Sequence, residues 1–103
     1  HLTEINLESC SRITSAAVTA LAAHCPHLAS INLDGCSRIT DAAVTALATH
    51  CANLTSINLR FCYCCTEVAV VALATHCLKL TSVLSGCTKA GVTAIGTQPL
   101  RVA

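Results

Sequence analysis

At 103 residues, 53% hydrophobic and 11% charged, the chain carries enough apolar surface for one small domain. A formal net charge of +1 removes the electrostatic case for nucleic acid or an anionic membrane as a partner. No apolar run approaches the roughly 18 residues of a spanning helix, and the first residues, His1 to Glu4, carry no signal-peptide pattern.

The chain is built on one step. Cys36 to Cys62 repeats the 26-residue spacing of Cys10 to Cys36, and Cys10–His27 shares fourteen of eighteen residues with Cys36–Asn53. A fixed period in the twenties marks a solenoid, in which each unit buries its apolar face against the next. There is no Met, and His1-Leu2 aligns with His27-Leu28. The chain is therefore expected to begin mid-repeat, as a piece of a longer protein with about 3.5 to 4 repeats over 1–103.

In chain order, Leu2, Leu28, Leu54 and Leu80 open the units. Ile5/Leu7, Ile31/Leu33 and Ile57/Leu59 then alternate with Asn6, Asn32 and Asn58, a period of two that predicts short strands. Strands recurring at one long interval must pair in parallel, and the crossover between them is usually a helix. Thr14, Thr40 and Thr66 stand at N-cap positions, and Asp41 and Glu67 follow in the first turn, where the helix dipole favours an anion. Val18, Leu21, Ala22 and Cys25 form an i, i+3, i+4, i+7 stripe, repeated from Val44 and Val70. Small flanking residues (Ala17, Ala20, Ala43, Ala46) allow helices to approach closely. Helices are wider than strands, so the array bends with the sheet inside the curve.

The fourth unit departs from this plan. Leu80 to Cys87 is one residue short and lacks the Asn position, and Gly91 and Gly96 weaken a helix expected over about 90–97. Pro99 ends it, and the unit reads either as a degenerate cap, frayed at its end, or as a partly disordered coil, with the frayed cap preferred.

The pattern L-x-x-I-x-L-x-x-C, followed by Ile-Thr and a helix ending His-Cys, resembles the cysteine-containing class of leucine-rich repeats over about residues 2–87. That class is best known from F-box proteins that serve as substrate receptors of cullin-type ubiquitin ligases. The resemblance implies an α/β solenoid, a right-handed βα superhelix with parallel strands on the concave face and helices on the convex face. It also implies a protein-binding role, with the F-box outside this chain and ubiquitylation substrates as the bound partner.

Nine cysteines would suggest a disulfide framework in a secreted chain, but the count is odd and seven fall on the repeat. That pattern reads as packing in a reducing compartment, cytoplasmic or nuclear. Cys10, Cys36, Cys62 and Cys87 are expected to turn inward after each strand, and the repeat class implies hydrogen bonds from this position to the backbone of the next coil. Cys25, Cys51 and Cys77 complete the structural ladder at the helix ends. Each follows a histidine, but adjacent helical residues point about 100° apart and the spacing is not that of a zinc site. In the irregular run Cys62-Tyr63-Cys64-Cys65, Cys65 takes the place of core Ile39 and Cys64 that of exposed Arg38; Cys64 reads as a surface thiol, since a redox or metal role for the run would need partners that the alignment does not supply.

No nucleophile–base–acid set and no phosphate loop stand out, so no enzymatic activity, small-molecule substrate or cofactor is expected. What remains is the strand face: Glu4/Asn6/Glu8, Ser30/Asn32/Asp34, Ser56/Asn58/Arg60, and Ser82 with Ser85. The Asn column reads either as a polar ladder whose side chains hydrogen-bond one another or as part of a partner surface. Arg60-Phe61 replaces Asp34-Gly35 and Tyr63 replaces Ser37, bringing the only two aromatic residues to the rim beside an arginine. Arg and Tyr are enriched at binding hot spots; alternatively, both rings fold over the loop and cover Cys62. Candidate partner contacts are Arg60, Phe61, Tyr63, Asn6, Asn32, Asn58, Glu8 and Asp34. The competing reading is a structural spacer within a larger scaffold. A run of so few coils exposes apolar ends, which predicts marginal stability or self-association.

Overall fold

The computed structural model describes residues 2–85 and 101–102. Strand and helix alternate: β1 (Glu4–Asn6), α1 (Ser15–His24), β2 (Ser30–Asn32), α2 (Asp41–His50), β3 (Ser56–Leu59), α3 (Glu67–His76) and β4 (Ser82–Ser85), with β5 (Arg101–Val102) at the far edge. All neighbouring strands pair in parallel, in the order β1-β2-β3-β4-β5. The register keeps equivalent residues opposite one another: Ile5 beside Ile31, Ile31 beside Ile57, and Ile57 beside Val83. Any slip by one residue would turn the whole apolar column outward, so the repeat itself specifies the register.

The inward column is dry. Ile31, Leu33, Ile57, Leu59 and Val83 are buried, and the helices close over them with Val44, Leu47, Ala48, Val70, Leu73 and Ala74. The flanking alanines do more than leave room. Ala43 and Ala69 are fully buried, because a residue one position ahead of the apolar stripe faces the preceding helix. Small side chains there set the distance at which α1 meets α2 and α2 meets α3.

Two of the three expected N-caps form. Thr14 Oγ1 accepts from Ala17 N at 3.3 Å, and Thr66 Oγ1 accepts from Val68 N at 3.2 Å. Thr40 makes no such bond; its hydroxyl lies 2.8 Å from Ser15 Oγ, which also accepts from Thr40 N at 2.9 Å. Asp41 repeats this link one coil later, accepting from Thr66 N at 2.8 Å and Thr66 Oγ1 at 2.6 Å. The first residue of each of these helices thus ties down the N-cap of the next coil, in addition to any interaction of Asp41 with its own helix dipole.

The ladder thiols differ from expectation in direction and extent. Cys36 Sγ donates to Leu7 O and Cys62 Sγ to Leu33 O, each at 3.1 Å, so each reaches the preceding coil and not the next. Cys51 Sγ reaches Cys25 O at 3.4 Å, and Cys77 Sγ reaches Cys51 O at 3.8 Å. Cys10 and Cys25, in the first coil, have no preceding coil among the described residues; Cys10 is exposed and Cys25 half-buried. No disulfide joins the described cysteines.

The same positional logic exposes one side of α1. Ala17 and Ala20 are exposed and Leu21 half-buried, whereas Ala43, Leu47, Ala69 and Leu73 at the matching places are buried. Ala17, Ala20, Leu21 and His24 line a shallow apolar groove of about 420 Å³ along this side. The helix expected over 90–97 and the ladder residue Cys87 lie outside the described residues. β5 was not anticipated; it joins β4 with Arg101 opposite Ser82 and Val102 opposite Val83, a shorter step than in the earlier coils.

Candidate functional site

The rim loops follow directly from the strand ends. Asn6, Asn32 and Asn58 each accept, through Oδ1 and at 2.9 Å, the backbone N–H two residues on, at Glu8, Asp34 and Arg60. This side-chain turn is the reason an Asn stands at each strand end. The column is therefore not a ladder of Asn–Asn bonds: its carbonyl oxygens are spent on the loops, and Asn58 Nδ2 turns to Asp34 Oδ2 at 3.4 Å.

The next residue in each coil takes a left-handed backbone: Ser9 at φ 62°, Gly35 at 79° and Phe61 at 62°. The chain then folds inward, with Cys10, Cys36 and Cys62 donating their N–H to Leu7, Leu33 and Leu59 at 3.0–3.1 Å. Successive loops stack through Ser9 N to Asp34 O at 2.6 Å and Gly35 N to Arg60 O at 2.8 Å. The left-handed conformation suits Gly35 and costs a side-chain-bearing residue about 1–2 kcal/mol. For a residue as bulky as Phe it is an outlier.

Phe61 accepts that strain without being buried. Phe61 is 49% exposed and Tyr63 77% exposed. The two centroids are 6.1 Å apart at an interplanar angle of 55°, and Arg60 Cζ stands 5.2 Å from the Phe61 centroid. The spacings fit an aromatic pair and a cation–π contact. The three side chains form one exposed cluster where the third strand meets its loop. Glu8 is exposed and Asp34 half-buried at the same register position in the first two coils, so that column runs from two acids to an arginine.

The thiols beside this cluster are not alike. Burial pushes Cys36 and Cys77 up to about 11 from an ordinary 9.0, and raises Cys51 as well. Cys62 moves the other way, because a hydrogen bond with the Cys65 side chain favours its thiolate more than burial opposes it. Cys65 is buried, and its Sγ lies 3.4 Å from Ile39 O; Cys64 is exposed.

Sequence reasoning missed the left-handed position and the Cys62–Cys65 contact. The first was signalled by Gly35, which aligns with Ser9 and Phe61; the second by two cysteines three apart across a turn. Among the described residues, no three His, Cys, Asp or Glu side chains gather as metal ligands, and no helix is long and apolar enough to cross a membrane.

Comparison with known families agrees with this geometry. The family model described as Leucine Rich repeat matches residues 1–22 and 24–48, the first two coils. The fold is an α/β leucine-rich-repeat solenoid. No curated protein matches the chain. Leucine-rich repeats commonly mediate protein–protein interaction and are typically non-enzymatic.

Proposed function

We propose that this chain binds another protein on its strand face and rim, with Arg60, Phe61 and Tyr63 as the anchoring side chains. The observation that carries the reading is Phe61: a bulky residue held in a left-handed backbone, in a place where the previous coil uses Gly35, and half exposed. Strain retained without a compensating burial is a feature of sites selected for contact. Arg60 and Tyr63 beside it supply the residue types that dominate interface energetics. Glu8 and Asp34 extend the surface along the same register and favour a partner segment with a basic group at that end. Asn6, Asn32 and Asn58 contribute through the loop shape that they hold.

In the fuller form of this reading, the chain is one leucine-rich-repeat segment of an F-box receptor in the cytoplasm or nucleus, and the partner is a ubiquitylation substrate. Support comes from the cysteine-containing repeat. The test has two arms. Cross-linking mass spectrometry of the full-length protein identifies the partner, after which Arg60→Ala, Phe61→Ala and Tyr63→Ala are each expected to weaken its binding at least tenfold. Unchanged affinity in all three refutes the anchor assignment. Co-precipitation of the full-length protein with the cullin adaptor is expected under the F-box reading, and its failure removes that reading while leaving the binding module intact.

The spacer alternative draws on the Asn column, whose carbonyl oxygens serve the loops. Under it, deleting residues 28–79 leaves partner affinity unchanged; under the binding reading, affinity is lost.

A further inference from the structure

The turn that begins at each loop cysteine is the same in all three coils. Ile13 N donates to Cys10 O at 3.1 Å, Ile39 N to Cys36 O at 3.2 Å, and Cys65 N to Cys62 O at 3.0 Å. Such a bond brings the first and fourth Cα atoms within about 7 Å, a range that covers the Cα spacing of a disulfide. In the first two coils the fourth residue is isoleucine. In the third it is a second cysteine, whose S–H donates to Ile39 O at 3.4 Å and whose side chain lies within hydrogen-bonding reach of a Cys62 thiolate.

We propose that Cys62 and Cys65 are a redox-active dithiol, which reacts with small aliphatic disulfides to close a disulfide across this turn. Cys62 is the attacking sulfur. Its thiolate displaces one thiolate from the small disulfide and forms a mixed disulfide; the departing thiolate takes up a proton. Cys65 then loses its proton, attacks Cys62 Sγ and expels the second thiolate, which is protonated in turn. Overall the dithiol is oxidised by two electrons and one disulfide is reduced to two thiols, with no other oxidant.

Three features favour this pair over its neighbours. The Cys65 hydrogen bond stabilises the Cys62 thiolate, while buried Cys36 and Cys77 remain thiols at neutral pH and are poor nucleophiles. Cys36, one rung from Cys62, directs its Sγ to Leu7 O at 3.1 Å, in the first coil and away from the third. When Cys62 gives up its S–H, Leu33 O still accepts from Cys36 N at 3.0 Å, so no buried carbonyl is orphaned there. Cys62 and Cys65 are buried, at 5% and 8% residue exposure, and the two residues between them in the turn, Tyr63 and Cys64, are exposed.

The test is equilibration of the full-length protein in glutathione buffers from fully reduced to fully oxidised, followed by acid quench, alkylation and non-reducing peptide mapping. The expected result is a loss of two hydrogens in a peptide linking Cys62 to Cys65, reversed by reduced glutathione. Cys64→Ser is expected to keep the bridge. Cys65→Ile, which restores the residue that the second coil carries at this place, is expected to keep the fold and leave glutathione trapped on Cys62. The proposal is overturned if the wild-type map shows Cys62 and Cys65 both alkylated in fully oxidised buffer, or Cys62 bridged to Cys36 or Cys64. Because the map is read on the wild-type protein, its outcome depends neither on a variant folding nor on the partner-binding reading.

Discussion

Phe61 sets two quantities against each other. Its φ of 62° costs about 1–2 kcal/mol relative to a residue without a Cβ, offset in part by the greater chain entropy that glycine loses on folding. Phe61→Gly is therefore expected to raise stability by about 1 kcal/mol while weakening partner binding. Urea titration and a binding isotherm on the same preparation check the two halves; a loss of stability would mean that the exposed ring is held by contacts worth more than the strain. The buried thiols give a second outcome at this scale. Cys36 and Cys77 lose their protons at about 11 in the folded chain and near 9.0 when exposed. Between those values the unfolded chain has released protons that the folded chain retains, so ionisation pulls toward unfolding. Their contribution is fully present below about pH 9 and falls as pH rises toward 11. Cys51 adds in the same direction and Cys62 opposes it. Thermal melts across this window are expected to drop, and Cys77→Ala is expected to flatten the slope.

Between elements, the link from one helix start to the next coil is the feature a propensity reading overlooks. Asp41 looks like an anion placed for its own helix dipole, yet its two oxygens accept from Thr66 N and Oγ1. Asp41→Ala is expected to cost about 1–2 kcal/mol, since a charge-assisted acceptor is lost at an exposed site. Asp41→Asn, which keeps one carbonyl oxygen, is expected to cost less. Equal losses measured by chemical denaturation would show that the charge acts on the helix dipole alone. Sequence reasoning found α1, α2 and α3, their N-caps and their apolar stripe, because those features repeat and have local causes. It placed the Cys36 and Cys62 thiols on the correct side of the chain but the wrong neighbour. Spacing along a chain states that coils stack, while the direction a Cβ takes across the stack is a matter of three-dimensional geometry.

At the scale of the whole molecule, burial is graded along the stack. Leu21, Leu47 and Leu73 occupy one repeat position, but Leu21 is half-buried where the other two are sealed. Leu47→Ala and Leu73→Ala are expected to cost about 2–5 kcal/mol each, and Leu21→Ala clearly less. A flat profile across the three would mean that the open side of α1 is covered in solution. Sedimentation over a range of concentrations reads the same point directly: self-association through the apolar groove at Ala17, Ala20 and Leu21 is expected, and Leu21→Glu is expected to reduce it.

Period, strand register, helix positions and the apolar column were determined by the sequence alone, because each is a local preference copied at 26-residue intervals and parallel stacking is the arrangement that satisfies every copy together. The coil-to-coil bonds of Ser15, Asp41 and the thiols were decided only by the tertiary structure, whereas the left-handed turn at Phe61 and the meeting of Cys62 with Cys65 had local signals in Gly35 and in a three-residue spacing. The coil-to-coil bonds depend on which groups a neighbouring coil places within bonding distance, and a linear spacing does not carry that information.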